Sequence, residues 1–301
     1  MIKRPVPETS QILRTGQLYG ASRSLFVTQQ IRQFKGLSVI VTHDMADAEQ
    51  LEREIKFFRD GELKILQFPD LETLPYDNFS PHQDIISKRL RCLARPPQID
   101  SRAVLFLSIS TLLQKVSPSD YVSQRSLSIK LGDRLELTAF KQRLTEQAYQ
   151  NVSQVEQHGE FAGRGSILDL YPMGSSSPYR IEFFDDEISS IRSFDVDSQL
   201  STGKLEQVEI LPAREFPLDQ QGIRNFRQNF RQAFEIDPAS CPVYEDVSQG
   251  IASPGIEYYL PLFFGELSNL FDYLPARTQF LIDQTAFDGC DQFLAQVEQR
   301  Y

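Results

Sequence analysis

Apolar residues in the first third of the chain form short continuous runs that are separated by segments of helical periodicity. LSVIVT at residues 37–42 and AVLFLSI at residues 103–109 are such runs. Continuous apolar runs are typical of strands covered on both faces, as in a parallel sheet. After the first run, apolar residues recur every three or four positions, at Ala48, Leu51, Ile55 and Phe58. The alternation of strand and amphipathic helix predicts a parallel α/β domain over residues 1–118, ending near VSPSD.

The segment between these two runs predicts a further strand and a further helix. ELKILQFPD, residues 62–70, has the pattern of a strand that ends at Pro69. Ser80 with Gln83 three residues later forms a capping-box pattern, and Pro81 suits the first helical position. The buried stripe of this helix is predicted to be Ile85, Ile86, Leu90 and Leu93.

Residues 119–212 follow a different pattern, in which short runs alternate with turn residues. The runs are SLSIKLGD, GSILDLYP, YRIEFFDD, EISSIRSFD and LEQVEILP. Such a pattern is typical of antiparallel strands and hairpins. It predicts a small antiparallel sheet, with one helix near residues 138–148 and a turn at GSSSP.

Helical periodicity returns in the last part of the chain, residues 213–301. It is visible in IRNFRQNFRQAFE, and TQFLIDQTAF at residues 278–287 predicts a buried strand with an acid, Asp283, at its end.

Charge and cysteine use narrow the class of protein. The chain has 31 basic and 41 acidic side chains, a formal net charge of -10, so its surface repels phosphate backbones unless a local patch reverses the sign. Three distant cysteines without a C-x-x-C pair signal neither disulfides nor a zinc site, and a cytoplasmic location fits them best. We expect no metal site, no signal peptide and no membrane span, since no apolar run reaches about 18 residues.

LYGASRSLFVT, residues 18–28, has the outline of a phosphate-binding loop. That loop has the pattern G-x-x-x-x-G-K-[ST], in which glycines let backbone N–H groups converge, lysine neutralises charge and a hydroxyl holds magnesium. Counting from Gly20, the second glycine would be Leu25, the lysine Phe26 and the hydroxyl Val27. All three chemical groups are missing.

The strand that ends at Asp283 resembles the other half of a nucleotide site. In phosphate-loop enzymes, an apolar strand ending in Asp-Glu supplies the acid on the magnesium side and the base that orients water. Here Gln284 follows Asp283, and an amide cannot accept a proton. Either half alone is more simply an ordinary strand end. The two halves together in an α/β chain indicate an eroded site.

YRIEFFDDEISSIRSFD is the candidate binding surface. Side chains alternate between the faces of a strand, so Arg180, Glu182 and Phe184 share the face opposite to the apolar positions. If the apolar face is a core, a phenyl ring and an arginine lie exposed together, a combination favoured at binding hot spots. Upstream, Arg164 lies between two glycines, a setting that could present its guanidinium from a tight turn.

Plainer interpretations of the same segment remain open. Phe184 could cap the hairpin by packing over the DD turn, with the arginines paired to Glu182, Asp185 and Asp186. The acidic run of residues 185–187 could suggest a metal site, but adjacent residues point to opposite faces. A hairpin turn is therefore the better interpretation of that run.

Three blocks of sequence carry a resemblance to a known family: FPDLETLPYDNFSPHQDIISKRL, EQHGEFAGRGSILDLYPMGSSSPYRIEFFDDEISSIRSFD and GIEYYLPLFF. Over nearly the whole chain, the sequence closely resembles the N-terminal region of the bacterial transcription-repair coupling factors (Mfd). That region is similar to the repair protein UvrB. The resemblance implies a split helicase-like (RecA-like, UvrB-type) α/β domain, with parts 1a (residues 1–118) and 1b (213–301), and a small α+β domain 2 (119–212) inserted between them.

Two departures from UvrB bear on function. UvrB-type sequences carry an intact phosphate loop, whereas Leu25, Phe26 and Val27 replace its chemistry here. We therefore expect no catalytic residue, no ATP hydrolysis and no cofactor in this chain. UvrB also has a long hairpin that grips DNA at a lesion, inserted after its LPYDYY-like segment, whereas this sequence passes directly from YDNF to SPHQDII.

What remains of the shared surface is domain 2, which in both families is the docking site for UvrA, the damage-recognising ATPase of excision repair. Carried over position by position, the family's contact residues fall on Arg164, Arg180 and Phe184. In the intact family member, further domains bind RNA polymerase and DNA and hydrolyse ATP with magnesium. Since the chain stops at EQRY without a closing structural signal, we expect an excised fragment.

The resulting hypothesis is a catalytically inert, UvrB-like module whose domain 2 recruits UvrA and links stalled RNA polymerase to nucleotide excision repair. The alternative is a UvrB-like nucleotide-binding or damaged-DNA-binding protein. Lys88, Arg89 and Arg91 are the candidate basic patch for DNA, and a solvated helix edge is the plainer interpretation of those three residues.

Overall fold

The computed structural model describes residues 14–59, 63–75, 77–94 and 102–300. The helices are α1 (Ser22–Gln33), α2 (Met45–Phe58), α3 (Gln83–Ala94), α4 (Ile109–Leu113), α5 (Tyr121–Arg125), α6 (Leu137–Glu146), α7 (Gln220–Ala233), α8 (Pro242–Ser248), α9 (Leu260–Phe263) and α10 (Thr285–Arg300). The strands are β1 (Leu37–Thr42), β2 (Lys64–Gln67), β3 (Ala103–Ser108), β4 (Leu127–Lys130), β5 (Gln150–Asn151), β6 (Glu160–Arg164), β7 (Ile167–Tyr171), β8 (Tyr179–Phe184), β9 (Glu187–Phe194), β10 (Ser201–Lys204), β11 (Gln207–Ile210) and β12 (Thr278–Ile282). Short 3₁₀ segments cover Pro238–Ser240, Ile256–Tyr259 and Leu270–Tyr273. Residues 1–13, where we expected no signal peptide, lie outside the described ranges.

A four-stranded parallel sheet, in the order β12-β1-β3-β2, forms one core. β1 and β3 are buried along their whole length, as their continuous apolar sequences predict. On one face α1 and α2 cluster with Ile40 and Phe106, and on the other α3 clusters with Val39 and Leu105. Because helices cover both faces, both sides of the central strands are removed from water.

Helix α2 confirms the helical periodicity predicted after β1. The helix begins after Asp44, whose carboxylate accepts a hydrogen bond from the Asp47 amide at 2.8 Å, a typical N-cap. Ala48, Leu51 and Ile55 are buried against the sheet.

Helix α3 begins at Gln83, so the predicted capping box at Ser80 is wrong. The Ser80 hydroxyl instead donates to the Glu257 carboxylate at 2.8 Å and accepts from the Gly255 amide at 3.1 Å. A partner about 175 positions away in the chain therefore replaces the local one. A capping pattern cannot reveal such competition.

Arg89 on α3 corrects the interpretation of the Lys88, Arg89 and Arg91 cluster as a solvated edge. Arg89 is buried, and its Nε lies 2.6 Å from Glu215 Oε1, while its Nη1 donates to the Pro69 carbonyl at 3.0 Å. Lys88 and Arg91 are exposed as expected. The cluster thus leaves two cations at the surface and one in the core.

Strand β12 forms where predicted, but it is not buried. Among the described residues it pairs with β1 only, at the edge of the sheet, and has no neighbouring strand on its other side. Phe280 and Ile282 remain 36% and 49% exposed. The apolar composition predicted the strand correctly, whereas its position in the sheet depends on pairing with β1, whose residues lie 241 positions earlier in the chain.

A second, antiparallel sheet lies between β3 and β12 in sequence. Its order is β10-β9-β8-β7-β6-β5, with only the short β5 running parallel to its neighbour, and β4 pairs separately with β11. The predicted helix is α6, whose Phe140 and Leu144 cluster with Phe161, Leu168 and Ile181 on one face of this sheet. The predicted mixture of a parallel α/β region with an antiparallel α+β region is therefore confirmed. Within the described ranges, no helix is long and apolar enough to cross a membrane.

Candidate functional site

The face of the antiparallel sheet that α6 does not cover carries the predicted binding residues. We call it the outer face and define it by Arg164, Arg180, Glu182, Phe184 and Arg192. Strand register brings these residues together: Arg180 lies opposite Arg192 on β9, and both Glu182 and Arg164 lie opposite one residue of β7, Ile167. The structure thus gathers Arg164, Arg180 and Phe184 on one side of three adjacent strands.

Phe184, the last residue of β8, projects into solvent from the outer face. Its side chain is 74% exposed, whereas Ile181 and Phe183 are buried on the opposite face, which confirms the predicted alternation. The alternative in which Phe184 packs over the DD turn is wrong, because a ring so exposed covers little of its surroundings. Exposed phenyl rings supply large contact area with little conformational freedom to lose.

The hairpin that carries Phe184 is hydrogen-bonded to the loop that precedes α6. Asp185 has a φ of 55°, which reverses the chain between β8 and β9. The Leu135 amide donates to the Asp186 carbonyl at 2.7 Å, and the Gly132 amide donates to the Ile188 carbonyl at 2.9 Å. The acidic run is therefore a hairpin turn, as predicted, and its backbone is anchored next to the exposed ring.

Arg180 lies on the outer face as predicted, but its guanidinium is engaged within the domain. Nε and Nη2 donate to both carboxylate oxygens of Asp169 at 2.7 and 2.9 Å, and Nη1 donates to the Gln199 carbonyl at 3.2 Å. The guanidinium also lies 5.0 Å from the centre of the Phe194 ring. The hydrogen bonds with Asp169 raise the pKa of Arg180. The alternative in which Arg180 pairs with Glu182, Asp185 or Asp186 is therefore not the arrangement formed.

Arg164 ends β6 beside a tight turn, as its position between two glycines suggested. Gly165 has a φ of 60°, a left-handed conformation that glycine adopts without strain. Arg164 is exposed, and its Nη2 donates to the Ser153 carbonyl at 3.0 Å. A single hydrogen bond to a carbonyl leaves most of its donors available to a partner.

Two further cations on this side escaped the sequence reasoning. Arg192 lies directly opposite Arg180, and Lys204 lies opposite Arg192 on β10. The alternation of β9 could have assigned Arg192 a face, but only the register places it beside Arg180. Lys204 lies in a strand that was not predicted. Arg180, Arg192 and Lys204 thus form a row across three strands, and Arg164 lies in line with Glu182 instead.

The segment predicted to be an eroded phosphate loop is mostly helix. Gly20 has a φ of 56° in a turn, and α1 begins two residues later at Ser22. Leu25, Phe26 and Val27 therefore lie within the first two turns of α1. Their backbone amides are donors in the hydrogen bonds of the helix and of its first turn. Val27 is buried against β1 and α2.

The carboxylate at the end of β12 is bound by an arginine from α1. Arg23 donates to both oxygens of Asp47 at 2.7 Å, and its Nε lies 3.0 Å from Asp283 Oδ2. The hydrogen bonds with Asp47 raise the pKa of Arg23. Gln284 is exposed next to this network. Among the described residues, no group of three or more His, Cys, Asp or Glu side chains is placed to hold a metal ion.

Comparison with known proteins places these features in a family context. A family model described as the UvrB interaction domain matches residues 127–216. The chain is 42% identical to the transcription-repair-coupling factor of Haemophilus influenzae over 98% of its own length, and 42% identical to that of Escherichia coli over 95%. It is 31% identical to that of Myxococcus xanthus over 90%. The chain spans only about a quarter of the length of these relatives, 25%, 25% and 24% respectively.

Proposed function

The chain belongs to the family of transcription-repair-coupling factors, as their UvrB-like N-terminal region, and from this we propose that its antiparallel domain recruits UvrA. The outer face would be the docking surface, with Phe184 as the apolar anchor and Arg164 and Arg180 as the polar contacts. Recruitment of UvrA by this surface would link a stalled RNA polymerase to nucleotide excision repair.

The observation that carries this proposal is the exposure of Phe184, which is the most exposed large apolar side chain of residues 119–212, ahead of Leu200 and Leu131. A phenyl ring that is 74% exposed, on the same face as Arg164 and Arg180 and on a hairpin with an anchored backbone, is a preorganised contact site. The match of residues 127–216 to the UvrB interaction domain supports the same surface, because all three contact residues lie within the matched range.

We further propose that the parallel sheet is a split helicase-like domain of the UvrB type. Part 1a would comprise residues 1–118 and part 1b residues 213–301, with domain 2, residues 119–212, inserted between them. The pairing of β12 with β1, for example Phe280 with Val39, supports this division, because the sheet is completed only after the antiparallel region.

The split domain would be catalytically inert and would bind no ATP. Three observations support this: Val27 is part of the core, Leu25 and Phe26 lie in a helix, and Arg23 binds the Asp283 carboxylate. In the whole protein, ATP hydrolysis with magnesium, DNA translocation and binding of RNA polymerase would belong to other parts, in the cytoplasm.

The alternative is a UvrB-like protein that binds nucleotide or damaged DNA through this chain. Saturable ATP binding with magnesium-dependent turnover would favour it over an inert module. The burial of Arg89 weakens the DNA-binding form of this alternative at α3, since two exposed cations remain there.

Size-exclusion chromatography of the chain mixed with purified UvrA tests the proposal. We expect the wild-type chain to co-elute with UvrA and the Phe184→Ala variant to elute separately. Co-elution of both would show that the docking surface lies elsewhere, and no co-elution of the wild type would exclude stable recruitment by this chain.

A further inference from the structure

Helix α7 carries three arginines and no acidic residue of its own. Its 14 residues, QQGIRNFRQNFRQA, include Arg224, Arg227 and Arg231 and no acid, in a chain with a net charge of -10. All three arginines are exposed. The surface of α7 is therefore positively charged, whereas the chain as a whole carries a net negative charge.

The spacing of these arginines places them along one side of the helix. Residues three and four apart are neighbours on a helix surface, and seven residues correspond to about 10 Å along the axis. They line a shallow groove of about 410 Å³ together with Gln228 and Gln232. Every side chain that lines the groove is therefore an arginine or a glutamine.

The opposite side of α7 fixes the groove to the protein core. Phe226 and Phe230 are buried in a cluster with residues of α8 and α9. Arg227 Nε donates to the Tyr244 hydroxyl at 3.2 Å, and the guanidinium groups of Arg227 and Arg231 lie 5.8 and 5.6 Å from the centre of its ring. Such contacts restrict the side chains before binding, which lowers the entropy lost when a ligand is bound.

We propose that this groove binds the phosphodiester backbone of nucleic acid, independently of base sequence. Arginine forks match phosphate oxygens, and amide side chains add hydrogen bonds to phosphate or sugar. An acidic protein segment is the other ligand that three arginines could bind, and the titration below distinguishes it from nucleic acid. The surface lies outside residues 127–216 and so is distinct from the outer face.

Fluorescence anisotropy with a labelled duplex DNA of random sequence, titrated with the whole chain at several salt concentrations, tests the proposal. Three phosphate contacts predict a slope of log K against log salt near about -2.7, which is a loss of about 40-fold between about 50 and about 200 mM salt. The triple variant Arg224→Gln/Arg227→Gln/Arg231→Gln should lose this binding. The matched control Lys88→Gln/Arg91→Gln on α3 should keep the wild-type slope.

The single variant Arg224→Gln keeps the test valid if the triple variant unfolds. Arg224 has none of the Tyr244 contacts that Arg227 and Arg231 make, so its replacement should leave the melting temperature unchanged and reduce the slope by about 0.9. Wild-type binding without salt dependence, or an unchanged slope in this variant, would overturn the proposal. Tighter binding of a poly-glutamate peptide than of duplex DNA would also overturn it, in favour of an acidic protein partner.

Discussion

Arg180 and Asp169 form a bidentate ion pair across adjacent strands, with Nε and Nη2 of Arg180 at 2.7 and 2.9 Å from the two carboxylate oxygens of Asp169. The side chain of Asp169 is only 5% exposed, and that of Arg180 is 21% exposed. The arginine that we propose to contact UvrA therefore also neutralises a buried carboxylate. Its replacement should affect both stability and binding, and the two effects need separate measurement.

Arg180→Ala should lower the free energy of unfolding by roughly 1–3 kcal/mol, because it leaves the Asp169 carboxylate buried without its partner. Urea denaturation measures this loss. Arg164→Ala is the matched control, since Arg164 is exposed and its loss should change the free energy of unfolding by less than about 0.5 kcal/mol. Equal stability of Arg180→Ala and wild type would mean that the pair does not persist in solution.

The Arg89–Glu215 pair should be among the most sensitive positions of the chain. Both side chains are almost fully buried, so Arg89→Ala leaves an uncompensated charge and should cost roughly 3–5 kcal/mol. Arg91→Ala, two positions away on the same helix but exposed, is the control and should be close to neutral. Thermal unfolding monitored by circular dichroism distinguishes the two variants, and similar melting temperatures would contradict the buried pair.

Glu257 should make stability depend on pH. Burial raises the pKa of its carboxyl, against the opposing effects of the Ser80 hydrogen bond and the Arg214 charge. Because the folded pKa lies above the unfolded one, the contribution of Glu257 to stability is complete below its unfolded pKa of about 4.3 and is lost as pH rises through the folded pKa.

Glu257→Gln should therefore stabilise the fold at neutral pH and flatten the dependence of unfolding free energy on pH between mildly acidic and neutral conditions. Urea denaturation across this range is the measurement. Glu245→Gln, an exposed acid of α8, should leave the profile unchanged. A Glu257→Gln variant that is less stable than wild type at neutral pH would show that the carboxylate is favoured by folding.

Nucleotide binding should be absent and should not return when the loop residues are replaced. Isothermal titration of the wild-type chain with ATP and magnesium should give no saturable heat. Leu25→Gly/Phe26→Lys/Val27→Thr should also fail to bind, because these positions lie in α1 and the change disturbs the core around Val27. An intact UvrB serves as the positive control. Micromolar affinity in either chain would contradict the inert assignment.

The sequence pattern predicted the helices and strands of this fold better than it predicted the contacts between them. The apolar run at residues 37–42 is β1 residue for residue, and the alternation in YRIEFF correctly placed Ile181 inside and Phe184 outside. Both follow from local periodicity, because a run covered on two faces and a run covered on one face differ in their pattern.

What the pattern could not provide is the identity of contacts between distant segments. The partner of Arg180 is set by the register between β7 and β8, the burial of Arg89 by a glutamate 126 positions later, and the role of Ser80 by Glu257. The exposure of β12 likewise depends on its place in the strand order. Each of these needs tertiary structure, since alternation assigns a face to a residue but not a partner.

The most direct test of the central claim is the dissociation constant of the complex with UvrA for the wild type, Phe184→Ala and Phe57→Ala. Phe57 is 82% exposed and belongs to α2, which packs on the parallel sheet, so it controls for the loss of any exposed phenyl ring. We predict that Phe184→Ala weakens UvrA binding by about 30-fold or more, corresponding to about 2 kcal/mol, and that Phe57→Ala binds like wild type. Equal affinity of Phe184→Ala and wild type for UvrA would contradict the account.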